Sequence, residues 1–299
     1  MTLVAKQTGS FRSFDGTRIY YEVRGEGFPI ILNYGIGCLI NHWRPQIKHF
    51  SQNFKVIAYD YRGHHRSEIP ENREHLSIDA MAQDLKGLMD HLEIHQASLW
   101  AHSFGVQMLI RFYDLFPELV HDMAFVNGFA QNPLQGMFGS ADLTTGAFQI
   151  IKSGYQVLPE TLSFLWKTAI QNPLAIHFAA LTGGFNLQLT SLKDIEIYAR
   201  GIASMDLNVF ITLFESMLHY DGKPVLERVL VPVIIIGGKK DSVTPQKHQE
   251  EMHRLIKGSD FFMVPYGSHC TQLDMPDLVN LKIERFLRGV GVMPKKTPP

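Results

Sequence analysis

The stretch Ala97-Ser-Leu-Trp-Ala-His-Ser-Phe-Gly105 contains the signal that decides the fold. Its first five residues form a short apolar run, which is typical of a buried strand, and the residues from Val106 to Tyr113 follow helical spacing. A serine between a strand and a helix lies on a sharp turn at the strand end, where its hydroxyl is exposed above the sheet. The stretch therefore predicts an α/β protein in which Ser103 is a candidate nucleophile.

Strand and helix signals alternate on both sides of this stretch. This alternation predicts a mostly parallel central sheet covered by helices. The predicted strands are Arg18–Arg24, Pro29–Asn33, Lys55–Tyr59, Ala97–Ala101, Asp122–Asn127, Pro232–Gly237 and Asp260–Val264. The predicted helices are Ser77–Leu92 with Ser77 as its cap, a helix between Ser103 and Pro117, a helix from about Pro245 to Ile256, and a closing helix that contains Leu278 to Leu287.

The middle of the chain interrupts the alternation. Residues 129–223 contain no strong buried-strand run, and helical stretches dominate at Leu158–Asn172, Leu192–Met205 and Leu207–Leu218. We therefore expect a core domain formed by residues 1–128 and 224–299, with residues 129–223 as a helical lid insertion. A lid would lie over the strand ends, which is where open α/β sheets bind ligands.

Composition excludes several classes of protein. The 299 residues are 45% hydrophobic and 19% charged, with a net charge of -1, which favours neither nucleic acid nor an anionic membrane as a partner. No apolar stretch reaches the ~18 residues of an integral membrane segment, and the first residues lack the apolar run of a signal peptide. Cys38 and Cys270 are too few for a disulfide framework, and both are expected to pack as small buried side chains. These features predict a cytoplasmic protein.

A serine hydroxyl needs an adjacent base to become a good nucleophile. In this kind of fold the partners follow the serine in the order aspartate or glutamate, then histidine. Asp241 leaves the predicted strand Pro232–Gly237, and His269 lies in the loop after Asp260–Val264. The predicted roles are nucleophile for Ser103, general base for His269 and orienting acid for Asp241.

The same three residues could instead have purely structural roles. Ser103 is also compatible with a cap at a strand-to-helix turn, Asp241 with a cap of the helix near Pro245, and His269 with a surface loop. The other histidines show no metal-ligand spacing on a helix or hairpin, so no metal site is predicted.

Acyl transfer requires hydrogen-bond donors for the developing oxyanion. One predicted donor is the backbone N–H of Phe104, the residue after the nucleophile. The other is the N–H of Ile36, with Gly37 as the alternative, in the glycine-rich loop Asn33-Tyr-Gly-Ile-Gly-Cys38.

The chain resembles the α/β-hydrolase superfamily, in its esterase-like group with a helical lid. Five features in order carry the resemblance, from about Phe11 to Val290: the loop at Tyr34–Ile36, the segment Asp60–Ser67, the turn at Ser103, Asp241 and His269. The resemblance implies a carboxylic ester hydrolase that works through an acyl-enzyme without a cofactor.

Three residues depart from the pattern of this superfamily. Tyr34 replaces a usual histidine, His65 a usual glycine, and Ala101 the first glycine of the turn. Ser103 argues against epoxide hydrolases and haloalkane dehalogenases, whose nucleophile at this place is aspartate.

The predicted lid suggests the substrate. Trp166, Phe185 and Phe210 are its candidate substrate-binding residues, and no lid cluster of arginine or lysine suggests a charged acyl group. We expect a small-molecule ester with an apolar acyl chain or an aromatic acid. The same triad also serves thioesters, peracids and carbon–carbon bonds of diketones. A ligand-binding protein with vestigial turnover is the alternative from another class.

Overall fold

The computed structural model describes residues 4–134, 137, 141–172, 174 and 184–293. An eight-stranded sheet forms its centre, in the order β1-β2-β4-β3-β5-β6-β7-β8. The strands are β1 (Lys6–Arg12), β2 (Arg18–Arg24), β3 (Pro29–Asn33), β4 (Lys55–Tyr59), β5 (Ala97–His102), β6 (Val120–Val126), β7 (Val233–Gly238) and β8 (Asp260–Val264).

The sheet is antiparallel at one edge and parallel elsewhere. β1 and β2 form an antiparallel pair, β2 runs antiparallel to β4, and the neighbours from β4 to β8 are all parallel. Every residue of β5 and β7 is buried, because helices cover both faces of the parallel part. This is the α/β-hydrolase fold that the sequence predicts.

The described α-helices cover the sheet, and several of them lie in the segment between β6 and β7. Ser77 caps the second helix as predicted, since its hydroxyl accepts a hydrogen bond from Ala80 N. The α-helices are α1 (Arg44–Phe50), α2 (Ile78–His91), α3 (Phe104–Leu115), α4 (Ala141–Val157), α5 (Pro159–Gln171), α6 (Leu192–Ser204), α7 (Leu207–His219), α8 (Lys223–Leu226), α9 (Gln246–Leu255), α10 (Thr271–Asp274) and α11 (Pro276–Gly289). Short 3-10 helices lie at Ile40–Trp43, Arg73–His75 and Pro117–Leu119.

The seven predicted strands are present, four of them with the predicted bounds. β1 is missing from the sequence prediction because its residues are mostly polar and exposed, with only Phe11 buried. Such an edge strand lacks the apolar run by which an inner strand is recognised.

In residues 129–223, the predicted lid, all of the described helices and strands are helices. They connect β6 to β7, which are neighbouring parallel strands. The parts of this prediction at 135–136, 138–140, 173 and 175–183 lie outside the described residues. Within the described part, no single helix is long and apolar enough to cross a membrane; only α6 and α7 together reach the required length and composition, and they are bent by 98°.

Candidate active site

The site forms where neighbouring parallel strands end. β5, β6, β7 and β8 are adjacent in the sheet and run in one direction, so their carboxyl ends meet at one edge. Ser103 follows β5, Asp241 lies in the loop after β7, and His269 lies in the loop after β8. Residues from three distant parts of the chain therefore meet at the edge where such sheets bind ligands.

Ser103 lies on a strained turn. Its φ is 54° and its ψ is -124°, a conformation that residues other than glycine rarely adopt. The Ser103 N–H donates to Val126 O at 3.1 Å, which ties the turn to β6. A Cβ on Gly105 would lie 2.8 Å from Tyr34 O, so the turn packs closely against the loop after β3.

Ser103, His269 and Asp241 form a continuous hydrogen-bonded chain. His269 Nε2 lies 3.1 Å from Ser103 Oγ, and His269 Nδ1 lies 3.0 Å from Asp241 Oδ2. All three residues are buried. The arrangement can move a proton from the serine hydroxyl to the imidazole while the carboxylate holds the ring.

Other residues hold the Asp241 carboxylate in place. Its Oδ1 accepts from the N–H groups of Val243 and Thr244 at 2.9 and 2.8 Å. Its Oδ2 accepts from Asn127 Nδ2 and from Thr244 Oγ1, each at 2.6 Å. The helix that follows is preceded by Pro245, so Asp241 fixes the turn before α9 rather than capping α9 itself.

His102 supports the loop that carries His269. Its Nε2 donates to His269 O at 2.8 Å, and the two rings lie 4.8 Å apart. Burial holds the pKa of His102 well below its usual range, with the nearby His42 and His269 acting in the same direction. His102 therefore remains neutral, and its side chain acts on the backbone behind the predicted base.

The loop after β3 passes close to the nucleophile. A Cβ on Gly35 would lie 3.1 Å from Ser103 Cβ, so glycine allows this approach. Gly37 N–H already donates to His64 Nε2 at 3.1 Å, which removes it as an oxyanion donor. Among the described hydrogen bonds, none uses Ile36 N–H, and Phe104 is the first residue of α3, where the N–H has no partner within the helix.

Three unusual residues hold this loop. His64 accepts from Gly37 N–H because burial lowers the pKa of its imidazole to about 3 and keeps it neutral. His65 Nε2 donates to Cys38 O at 2.7 Å. Tyr34 donates to Asp60 Oδ1 at 3.1 Å. Two of the departures from the superfamily pattern, Tyr34 and His65, therefore anchor the loop.

The sequence profile described as "alpha/beta hydrolase fold" matches residues 29–276, which is most of the chain. The chain belongs to the α/β-hydrolase family. Human epoxide hydrolase 4 is 25% identical over 290 residues, which cover 91% of this chain and 76% of that protein. 3-Oxoadipate enol-lactonase 2 of Acinetobacter baylyi is 24% identical over 260 residues, which cover 87% and 88%. The solved structure of a thermophilic esterase from Thermogutta terrifontis superimposes with a TM-score of 0.74 at 21% identity, covering 95% of this chain and 99% of that one.

The predicted substrate-binding residues of this α/β hydrolase lie in two places. Phe185 is buried in a small cluster with Cys270, the neighbour of His269, and its ring lies 4.9 Å from that of Tyr198. Trp166 and Phe210 lie 4.9 Å apart, ring to ring. Trp166 packs against an apolar cluster of α4, α5 and α7, and Phe210 packs against the main core. Phe185 thus packs next to the loop that carries His269.

Sequence reasoning missed Asn127, Thr244 and His102 as supports of the site. Asn127 directly follows β6 and has a φ of 48°, and Thr244 lies three residues after Asp241. A polar residue at a strand end is the one signal that could have found Asn127.

Both cysteines are buried and free, as expected. Burial raises the pKa of the Cys38 thiol to about 12 and holds that of Cys270 well above its usual range. Among the described residues, Cys38, His42 and His102 form the group whose side chains could hold a metal ion.

Proposed function

We propose that this α/β hydrolase cleaves a carboxylic ester with an apolar acyl or aromatic part, through an acyl-enzyme on Ser103. The observation that carries the proposal is the buried hydrogen-bonded chain from Asp241 through His269 to Ser103. A serine, an imidazole and a carboxylate in this order form the constellation that activates a hydroxyl for attack on an acyl carbon.

The reaction has two halves. Ser103 Oγ attacks the acyl carbon while His269 Nε2 takes the hydroxyl proton, and the alcohol then leaves with that proton. The N–H groups of Ile36 and Phe104 stabilise the oxyanion. Water attacks the acyl-enzyme with His269 again as base, which releases the carboxylic acid and restores the serine hydroxyl. Asp241 holds the imidazole in the tautomer that this exchange requires.

The relatives support acyl transfer. A lactone is an internal ester, so the Acinetobacter baylyi enol-lactonase acts on the same bond type that we propose here. Epoxide opening by this superfamily uses an aspartate nucleophile, whereas this chain has Ser103 at that position. We therefore do not assign to this chain the epoxide hydrolysis that the name of the human relative states.

Burst kinetics test the acyl-enzyme. With a short-chain nitrophenyl ester, we expect a rapid release of about one nitrophenol per chain before steady turnover, because acylation precedes hydrolysis. The Ser103→Ala variant should show no burst, with a residual rate of up to ~10³-fold over water from the remaining site. The proposal would be contradicted if the wild-type protein and Ser103→Ala hydrolysed the ester at equal steady rates and neither showed a burst.

A series of acyl chains tests the apolar specificity. Phe185 and the apolar side chains around it favour hydrocarbon beside the site. Each buried methylene should contribute about 0.8 kcal/mol, so kcat/KM should rise through short and medium acyl esters and then fall. A flat profile, or a preference for charged acyl groups, would contradict an apolar acyl site.

A further inference from the structure

Cys38, His42 and His102 come together behind the nucleophile from three separate parts of the chain. Cys38 lies in the loop after β3, His42 on the 3-10 helix Ile40–Trp43, and His102 at the end of β5. One side-chain ligand atom of each lies within 4.8 Å of those of the other two, and the two imidazole rings are 4.6 Å apart. All three residues are buried.

Two imidazole nitrogens in this cluster have no hydrogen-bond partner. His102 Nε2 carries its proton to His269 O, so His102 Nδ1 keeps its lone pair, and that atom is unpartnered among the described residues. His42 Nε2 is also buried without a partner among them. Buried polar atoms normally find a partner, and these two nitrogens beside one thiol are available to a bound ligand.

The sulfur and one of these nitrogens approach a common point. A Cβ on Gly35 would lie 3.2 Å from His102 Nδ1, 3.3 Å from Cys38 Sγ and 3.1 Å from Ser103 Cβ. Gly35 is therefore packed tightly against both ligand atoms, and the position adjoins the nucleophile.

We propose that Cys38, His42 and His102 bind a thiophilic transition-metal cation such as Zn²⁺. Two neutral imidazoles and one thiolate are a donor set that suits zinc, cobalt or copper, whereas calcium and magnesium prefer oxygen ligands. On binding, the Cys38 S–H bond breaks, its proton passes to solvent, and the sulfur and two nitrogens donate their lone pairs to the metal. The metal's oxidation state does not change.

An ordered water is the competing occupant. A water would donate two hydrogen bonds to the unpartnered nitrogens and would leave the thiol protonated. The thiol distinguishes the two occupants, because a metal binds the thiolate whereas a water leaves the S–H bond intact. The test therefore follows the sulfur directly.

Occupancy of the site would affect the proposed catalysis. The ligands flank Gly35 and lie close to Ser103 Cβ, so a bound cation would occupy space beside the nucleophile and shift Ser103 away from His269. Zn²⁺ would therefore act as an inhibitor. A crevice of about 10 Å³, lined by His42, Tyr198 and Asp194, borders the cluster beside α6.

Cobalt absorption tests the site without any substrate. Metal-free full-length protein titrated with Co²⁺ should develop the near-ultraviolet charge-transfer band of a thiolate bound to cobalt, with one cobalt per chain, and Zn²⁺ should displace it. Cys38→Ala should abolish the band. His42→Phe keeps an aromatic ring but removes a ligand, and it should weaken Co²⁺ binding by more than about 100-fold, the upper end of the loss when only an outer-shell partner is removed. Cys270→Ala, the matched control, should keep the band.

The outcomes separate this site from the proposed function. A wild-type protein without the band, or an equal band in Cys38→Ala, would overturn the metal site whether or not the protein hydrolyses esters. If Cys38→Ala fails to fold, as thermal unfolding would show, the His42→Phe titration decides. Where ester hydrolysis is measurable, Zn²⁺ should inhibit it, with half-inhibition at the Zn²⁺ concentration that half-fills the site. Full activity at a Zn²⁺ concentration about a hundredfold higher would contradict the effect on catalysis.

Discussion

At the scale of single residues, the site depends on the hydrogen bonds that fix the position of the Asp241 carboxylate. Four hydrogen bonds from Asn127, Val243 and Thr244 fix it against His269. Asp241→Asn keeps the shape but presents an amide to His269 Nδ1, which favours the wrong imidazole tautomer. We expect kcat for ester hydrolysis to fall by about 10⁴-fold.

Asp274 provides the matched control, because it is a second buried carboxylate near the same loop. It accepts hydrogen bonds from Ser268 N and Ser268 Oγ at 2.6 and 2.7 Å, and burial raises its pKa. Asp274→Asn should lower the free energy of unfolding with a much smaller loss of kcat. If kcat fell less than tenfold in Asp241→Asn and fell further in Asp274→Asn, Asp274 would be the carboxylate that orients His269.

At the scale of elements, α6 packs directly on the loop that carries Ile36. A Cβ on Gly201 would lie 2.9 Å from Gly37 O, so Gly201→Ala forces the helix and the loop apart. We expect a loss of about 1–3 kcal/mol in the free energy of unfolding, together with a lower kcat, because the loop carries a predicted oxyanion donor.

Gly146→Ala, within α4, is the control for this change. Gly146 is exposed, and among the described residues no atom beyond its own helix backbone and chain neighbours lies within 4 Å of an added Cβ, so alanine should stabilise the helix by about 0.5–1 kcal/mol. Urea unfolding measures both variants. Equal stabilisation by the two substitutions would mean that α6 does not rest on the loop.

The sequence predicts the strands and the triad residues better than it predicts the residues that hold the triad in place. Strands such as Lys55–Tyr59 and Asp260–Val264 are predicted at their observed bounds, because an apolar run between turn signals is a local property. Ser103, Asp241 and His269 could be named because each follows a strand in a set order. Asn127 and the pair His42 and His102 could not be grouped, because only the folded sheet brings them to their partners.

At the scale of the whole molecule, buried neutral histidines couple stability to pH. Burial lowers the pKa values of His42 and His64 from the usual 6.5 to about 3. Below about pH 6.5 the unfolded chain therefore binds protons that the folded chain does not, so the free energy of unfolding falls as the pH falls. The two residues together should give a slope of about 2–3 kcal/mol per pH unit between about pH 6 and pH 4.

Urea unfolding in a metal chelator at several pH values measures this slope. His42→Phe removes one of the two groups and should reduce the slope by about 1.4 kcal/mol per pH unit. Stability that stays constant or rises on acidification over this range would contradict neutral burial of the two imidazoles.

The central claim is that Ser103 is the activated nucleophile, and labelling with a fluorophosphonate followed by mass spectrometry of the peptides tests it most directly. We expect one adduct per chain, on Ser103, at a rate that falls sharply in His269→Ala. Ser103→Ala should not be labelled, whereas Ser268→Ala, which removes the serine next to the histidine, should still be labelled on Ser103. An unlabelled wild-type protein, or an adduct that persists undiminished in Ser103→Ala, would contradict the account.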